Sequence, residues 1–325
     1  MLGSAVTFSD RKRRRGIVNT QHQLNPSDRL EHFLPPLAVV VVTYNSADVL
    51  PGLLDSLGPG LEDMPSSRIV IVDNNSSDAS VDIARLHPVL PEIIETGRNA
   101  GYAAGINIAA EQIGNGYDIL VLNPDVRLPR GVCKRLQEEL HQQDRGIVVP
   151  RIMNEDGTLA HSLRREPSLT TVWSNAVFGG RLSEWLGTSD IIGNARRYRK
   201  SGDIEWATGA VLMISAAARH SIGPWDESFF LYSEEVDYMR RARAAGLKVH
   251  YVSELAVTHI GGEADSNPYL AGLLTTNQIR DFGRRHGLLA TTMFRLGVIA
   301  GAVLRLPLGE VQRASLKAAC TAPRR

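Results

Sequence analysis

Five short, largely apolar runs, each stopped by a polar cluster, constrain this chain more than any other feature. They are "LAVVVV" (37–42), "RIVIV" (68–72), "EIIET" (92–96), "DILVL" (118–122) and "GIVVP" (146–150). The first is β-branched and uninterrupted, the pattern of a strand covered on both faces. Between the runs lie helix-like stretches: Val49, Leu50, Leu53, Leu54 and Leu57 at helical spacing, then "DNNSSDASVDIARL", "GYAAGINIAAEQI" (101–113) and "RGVCKRLQEEL". Strands alternating with helices predict an α/β fold, with a mostly parallel sheet flanked by helices.

That order places four polar groups just beyond strand carboxyl ends: Thr43-Tyr44-Asn45, Asp73-Asn74-Asn75, Arg98-Asn99 and Asn123-Pro124-Asp125. In open parallel sheets this is the edge where ligands bind. From about Arg151 to Ile204 the periodicity fails, and the stretch reads as a long irregular loop rich in Arg164, Arg165, Arg196, Arg197, Arg199 and Lys200. Loops of that length usually serve as lids or binding surfaces. Regular patterning resumes at "IEWATGAVLMI" (204–214) and continues through 223–246, "KVHYV" (248–252) and "AVTHIGG" (256–262).

The formal charge of +1 hides basic ends. "RKRRR" occupies 11–15, and the last 35 residues hold six cations against Glu310 alone. Such ends suit an anionic membrane surface. "RKRRR" has no accompanying nucleic-acid-binding motif, so no nucleic-acid partner is expected. The apolar segment 293–308 has only nine residues between Arg295 and Arg305, too few to span a bilayer, but enough to lie in its interface or pack on the main domain. No signal-peptide pattern follows the basic run, and Cys133 and Cys320 cannot form a disulfide framework. The expected location is cytoplasmic, peripheral at the inner face of the plasma membrane.

Neither G-x-G-x-x-G nor G-x-x-x-x-G-K-[ST] follows the first strand, which removes the common dinucleotide and phosphate-loop folds. The ordered set "VVVTYNSADVLPGLLDSL", "IVIVDNNSSDAS", "GRNAGYAAGIN", "LVLNPDV", "WATGAVLMI", "FFLYSEEVDYMRRARAAG" and "VTHIGG" resembles the family 2 inverting glycosyltransferases, on the nucleotide-sugar-binding GT-A fold. Within that family it is most similar to bacterial rhamnosyltransferases that use dTDP-L-rhamnose. The resemblance covers 37–262, divided into a nucleotide-binding half (37–150) and an acceptor and catalytic half (151–262). Outside it lie a basic tail (1–36) and a C-terminal helical extension (263–325).

The resemblance implies roles for individual residues. Thr43, Tyr44, Asn45, Asp73, Asn74, Arg98, Asn99, Gly101, Asn107, Asn123 and Asp125 would bind the donor. On local sequence alone Asp73 reads equally as a turn former or helix cap. Asn123 stands where the family's D-x-D signature has its first aspartate, leaving Asp125 as the carboxylate for Mg2+ or Mn2+, with His259 as second ligand. Glu235 matches the family's catalytic base, with Glu234 and Asp237 as fallbacks, although acids at a helix start need no catalytic role. Trp206, Thr208, Gly209 and Trp225 would meet the acceptor, or pack the core. The implied partners are a nucleotide sugar, a glycolipid or polyprenyl-diphosphate sugar acceptor and the inner membrane surface; a homo-oligomer is compatible with all three. The competing expectation is a non-catalytic nucleotide-sugar-binding scaffold, which the missing first aspartate and the glutamate in place of aspartate keep open.

Overall fold

A computed structural model describes Met1 and residues 34–261 and 267–322. The basic tail expected over 1–36 therefore lies mostly outside the described residues, as do Gly262 and the last three residues. The elements in chain order are β1 (Leu37–Thr43), α1 (Leu50–Gly60), β2 (Arg68–Asp73), α2 (Ser80–Leu86), β3 (Glu92–Glu95), α3 (Tyr102–Ile113), β4 (Asp118–Leu122), β5 (Val126–Arg127), α4 (Val132–Leu140) and β6 (Arg145–Met153). Next come β7 (Leu163–Arg164), α5 (Leu169–Phe178), α6 (Gly180–Trp185), β8 (Gly202–Asp203), β9 (Trp206–Ala207), β10 (Val211–Ile214) and α7 (Ala216–Ile222). The chain continues through α8 (Glu234–Ala244), β11 (Lys248–His259), α9 (Pro268–Arg285), α10 (Leu288–Leu304) and α11 (Glu310–Thr321).

The main sheet runs β3-β2-β1-β4-β10-β6-β11-β5, with β8 added on β11. Its β3-β2-β1-β4 half is parallel, β10 is antiparallel to both neighbours, and β6 and β11 are parallel again. The uninterrupted run of β1 has the expected cause. Ala38, Val40 and Val42 pack into one core with Ala103 and Ile106 of α3 and Val236 of α8, whereas Leu37, Val39 and Val41 pack into another with Leu53 of α1 and Leu136 of α4. Each face is covered, so neither parity of the strand can be polar.

Register sets the functional edge. Thr43 pairs with Asp73 and Val41 with Leu122, so Thr43, Asp73 and the Asn123–Asp125 turn emerge together at the carboxyl ends of β1, β2 and β4. β10 then brings Gly209 alongside that turn, with the Asn123 amide donating to the Ala210 carbonyl (3.0 Å). Residue Gly105 allows α3 to lie against β1: a Cβ there would come within 2.7 Å of Val42 Cγ1.

Two expectations need correction. The region 151–204 is not a structureless loop. It completes β6, adds β7 and folds into α5 and α6. The start of α5 is locally encoded by a capping box, in which Ser168 Oγ accepts from the Thr171 amide (3.1 Å) and Thr171 Oγ1 accepts from the Ser168 amide (3.0 Å). The runs 248–252 and 256–262 are not separate either: Lys248–His259 is one strand, whose register on β6 shifts between Val252 and Ala256. That irregularity breaks the apolar pattern without breaking the strand.

The helices of the C-terminal region pack as part of the same unit, Leu34–Arg325. Asp281 of α9 is buried, and both its oxygens accept from Nη2 of Arg240 of α8 (2.7 and 2.9 Å), with Arg285 joining at Oδ2 (2.7 Å). Glu166, just before α5, is paired with Arg243, Arg240 and Arg285. These shared ion pairs tie α8 to α9 and to the start of α5. None of the described helices is long and apolar enough to cross a membrane.

Candidate active site

One side of this edge is built from the loops after β1, β2 and β3. Asp73 is almost fully buried and accepts from Thr43 Oγ1 (2.8 Å), the Ser76 amide (2.8 Å) and Ser76 Oγ (2.6 Å). A carboxylate has about four acceptor directions, so roughly one remains open. Asn45, in a left-handed conformation (φ 49°), accepts from the Ser77 amide (2.8 Å), while its own amide donates to Ser76 Oγ (2.9 Å). These bonds lock the first loop to the second. Tyr44 and Arg98 are exposed beside them.

Asn74 Nδ2 donates to the Gly101 carbonyl (3.0 Å), and Asn99 Oδ1 accepts from the Gly101 amide (3.2 Å). Gly101 itself has φ 90°, and a Cβ there would overlap the Phe230 carbonyl oxygen. Only glycine allows that approach. The next amide, Tyr102 N–H, donates to the same Phe230 oxygen (2.9 Å), coupling these loops to the segment that leads into α8.

The second cluster forms where β5 pairs with β11, setting His259 opposite Val126. His259 Nε2 lies 3.1 Å from Asp125 Oδ1 and 3.3 Å from Asn123 Nδ2, and Asp125 Oδ2 accepts from the Gly261 amide (2.8 Å). Burial works against the Asp125 carboxylate, but the hydrogen bond and charge of His259 and the Gly261 N–H outweigh it and hold it below its ordinary range. The single atom Nε2 faces both an acceptor and an amide donor, and in neither protonation state does it satisfy both. A cation between Oδ1 and Nε2 would relieve that conflict. No cluster of three or more His, Cys, Asp or Glu side chains suited to a metal occurs among the described residues. One carboxylate and one imidazole therefore fit a hard divalent ion that completes its shell with water and phosphate oxygens.

Between this cluster and α8 stands Tyr102, which the sequence reading did not single out. Its hydroxyl reaches Asn123 Oδ1 (3.0 Å) and the Gly209 carbonyl (3.2 Å). Burial, then the charges of Glu234, Glu235 and Asp125, push that hydroxyl well above its ordinary value, so it stays a neutral donor amid carboxylates. Its sequence signal was faint, a tyrosine opening a small-residue helix directly after a glycine.

Glu235 lies across Gly209 from Tyr102. A Cβ built on Gly209 would be 3.7 Å from Glu235 Cβ and 3.8 Å from Tyr102 Cε1. The side chain is partly reached by solvent, but Glu235 Oε2 is enclosed and has no hydrogen-bond partner, and neither has Glu234 Oε2. Burial is the main reason the Glu235 carboxyl is pushed up to about 7, with Arg164 pulling the other way. Burial and the charge of Glu235 push Glu234 well above its ordinary value as well. Helix N-terminal placement favours the anion by about 0.3–1 kcal/mol, whereas a rise from 4.5 to about 7 corresponds to about 3 kcal/mol, so burial wins. The turn before them is strained: Tyr232 and Ser233 have φ 70° and 76°, and Asn277 Nδ2 of α9 donates to the Leu231 (2.8 Å) and Tyr232 (3.2 Å) carbonyls.

The remaining expected residues divide. Thr208 lines a cavity of about 440 Å3 together with His259, Arg164, His161 and Glu184. Trp206 is buried, its Nε1 donating to the Arg165 carbonyl (2.8 Å). Trp225 is buried and stacks on Tyr238 (4.1 Å between centroids), and Asn107 bonds the Trp225 backbone on both sides (2.9 Å each). Asp237 is taken up by Arg241 (2.7 Å) and Arg240 (3.4 Å). Asn107, Trp225 and Asp237 thus have structural work of their own and are not brought into the Asp125 and Glu235 cluster by any of these contacts.

Tyr102 thus stands between Gly209, beside Glu235, and Asn123, beside the Asp125–His259 pair. The sequence description "Glycosyl transferase family 2" matches residues 38–206, more than half of the chain. The chain belongs to glycosyl transferase family 2. It is 29% identical over 234 residues to the N-acetylglucosaminyl-diphospho-decaprenol L-rhamnosyltransferase of Mycobacterium tuberculosis, covering 69% of this chain and 75% of that one. It is 20% identical over 232 residues to rhamnosyltransferase WbbL of Escherichia coli, covering 68% and 82%. The chain is accordingly a rhamnosyltransferase-like family 2 enzyme.

Solved structures agree on the fold. Mannosyltransferase PcManGT from Pyrobaculum calidifontis, in complex with GDP-Man and Mn2+, superposes with a TM-score of 0.55 at 15% identity, over 89% of this chain and 87% of that one. GalNAc-T7 with UDP, GalNAc and Mn2+ gives 0.58 at 14% identity, over 89% of this chain and 55% of that one. Both have the GT-A architecture expected from the motif order.

Proposed function

We propose that the protein transfers L-rhamnose from dTDP-rhamnose, with inversion, to a hydroxyl of a lipid-linked sugar diphosphate, in bacterial cell-wall or surface-glycan synthesis. The observation that carries this is the Glu235 carboxyl, pushed up to about 7 with its Oε2 unpartnered, beside Gly209 and Tyr102, whose hydroxyl reaches Asn123 of the Asp125 and His259 cluster. The relatives that transfer rhamnose, one of them named for a diphospho-decaprenol acceptor, support the choice of substrates.

In this reading Asp73 accepts the base N–H, Thr43 orients Asp73, and the loops of Tyr44, Asn45, Asn74, Arg98, Asn99 and Gly101 wall the nucleotide. Asn123 sits beside the ribose and diphosphate, its amide oriented by Tyr102. Asp125 and His259 would hold Mg2+ or Mn2+, which when bound neutralises the charge on a departing diphosphate. The acceptor enters by the cavity of Thr208, His161 and Arg164. Glu235 takes the proton of the acceptor hydroxyl as its oxygen bonds the anomeric carbon from the face opposite the leaving group. The bond to the diphosphate oxygen breaks in the same displacement, and Glu235 leaves the step protonated. A carboxyl titrating near 7 suits this work because it is ionised often enough to accept a proton and basic enough to hold it.

The test is a panel of dTDP- and UDP-sugars with a polyprenyl-diphosphate sugar acceptor, with and without EDTA, on wild type and Glu235→Gln. Transfer from dTDP-rhamnose that EDTA and the variant abolish is expected. Binding of nucleotide sugar without turnover from any donor would instead identify a scaffold.

A further inference from the structure

α6 carries its apolar stripe on the outside. Leu182, Trp185 and Leu186, spaced i, i+3, i+4, are 45%, 81% and 46% exposed, while Ser183 between them is buried against Ser174 and Thr188. An amphipathic helix normally buries that stripe. The surface extends beyond α6 because α5 and α10 run side by side. Gly297 stands where a Cβ would lie 3.0 Å from Val172 Cγ1, Gly301 where it would lie 3.4 Å from Ala176 Cα, and Arg305 donates to the Asn175 carbonyl. This parallel register brings Val177 and Phe178 (63% and 52% exposed), at the end of α5, to the same end as Val303 and Leu304 (46% and 66%). Contiguous exposed apolar surface of this kind marks an interaction site.

Charge says what it meets. Over α5, α6, α10 and α11 the acids are Glu184 and Glu310, against Arg181, Arg295, Arg313 and Lys317, with Arg305 just past α10. Arg181 and, after α6, Arg196, Arg199 and Lys200 are exposed. An outward apolar stripe on elements whose cations outnumber their acids is the composition of a surface lying in an anionic lipid interface. Location adds a second reason. Glu184 lines the cavity of Thr208 and His259, while its neighbour Trp185 is the more exposed of the two large apolar side chains of α6, so one short helix joins the cavity to the apolar surface.

We infer that the outer face of α6, with the adjoining ends of α5 and α10, is the surface by which the enzyme enters an anionic bilayer, setting the acceptor cavity at the lipid headgroups. This rests on the reading of a lipid-linked acceptor and adds the surface that reaches it. A lipid-linked sugar diphosphate could then present its sugar to Thr208 without leaving the membrane.

The experiment is vesicle co-sedimentation of the full chain, without sugar substrates, on phosphatidylglycerol-rich and on pure phosphatidylcholine vesicles. The variants are Trp185→Glu, Phe178→Glu and Leu289→Glu, the last at the opposite end of α10 and 79% exposed. Wild type and Leu289→Glu should bind the anionic vesicles and leave the neutral ones largely unbound. Trp185→Glu and Phe178→Glu should each lose roughly tenfold or more in partitioning, with unchanged melting temperature because both sites are exposed. Trp185→Ser gives the same loss without an added charge. Equal vesicle binding by all variants, or none by wild type, overturns the inference. So does sedimentation velocity showing that Trp185→Glu only dissolves a self-associated species, since the face would then meet a second copy. Turnover of a water-soluble, short-chain acceptor separates the two readings. If it persists in Trp185→Glu while vesicle binding is lost, both stand; if vesicles bind and no donor is used, the surface stands and the transferase reading falls.

Discussion

Glu235→Gln should make the protein more stable and inactive at once. The carboxyl has an ordinary value of 4.5 and is pushed to about 7 by burial in the fold. A folded-state value above the unfolded one means the native state holds its proton longer. Stability associated with this group is therefore complete below about pH 4 and is lost as pH rises through about 7. The rise amounts to about 3 kcal/mol at most, because one unit is 1.36 kcal/mol, and the neighbouring Glu234 shares the same burial. Glutamine keeps the shape and cannot ionise, so the variant escapes that loss. With an unfolding entropy of about 2 cal/mol/K per residue, 3 kcal/mol corresponds to a melting temperature higher by up to about 5 °C. The assay is thermal unfolding of wild type and variant at pH 4 and pH 8, beside initial rates of sugar transfer. The two proteins should melt nearly together at pH 4 and separate at pH 8, while kcat falls by about 10²–10⁴. Wild-type kcat should rise with pH through about 7, as the base ionises. Identical melting at pH 8, or a variant that turns over normally, would refute the assignment of Glu235 as a buried base.

Asp125→Asn removes the charge but retains an acceptor for the Gly261 amide, so folding should survive while kcat drops by about 10²-fold or more and added Mn2+ or Mg2+ no longer restores EDTA-treated enzyme. Gly101→Ala should destabilise the protein by more than about 2 kcal/mol in denaturant titration, since φ is 90° and the methyl meets the Phe230 carbonyl. Asn277→Ala strips a donor from two carbonyls of the strained turn before Glu235; a fall in kcat with little change in donor KM is expected, with about 1–3 kcal/mol lost in stability. If Asn277→Ala left kcat intact, α9 would have no part in positioning the base.

Much of the fold could be read in advance because its determinants are local. β1, β2 and β4 stop where apolar runs stop, and the functional turns follow at once, so Thr43, Asp73 and Asp125 were placed on one edge by periodicity alone. The pattern broke down where local signals are short. α5 depends on one capping box, and β11 carries an irregularity that splits its apolar pattern in two. Family resemblance pointed to Glu235 and His259, which periodicity could not have done.

Other relations exist only in three dimensions. Asp125 meets His259 because β5 pairs with β11 across more than 130 residues of chain. Tyr102 became part of the site because α3 starts beneath both Asn123 and Gly209, a placement no spacing in its own helix encodes. Asn107 and Trp225 are tied to each other by an amide that bonds a backbone on both sides, and the Trp225 ring stacks on Tyr238, relations between segments more than 100 residues apart that no local spacing encodes. By itself, then, the sequence determined the layered α/β sheet and the polar edge, through the short-range alternation of apolar and polar residues. Tertiary structure alone decided which carboxyl is raised toward neutrality, which histidine meets which aspartate and which apolar stripe stays outside, because burial and contact between distant segments exist only once the chain is packed.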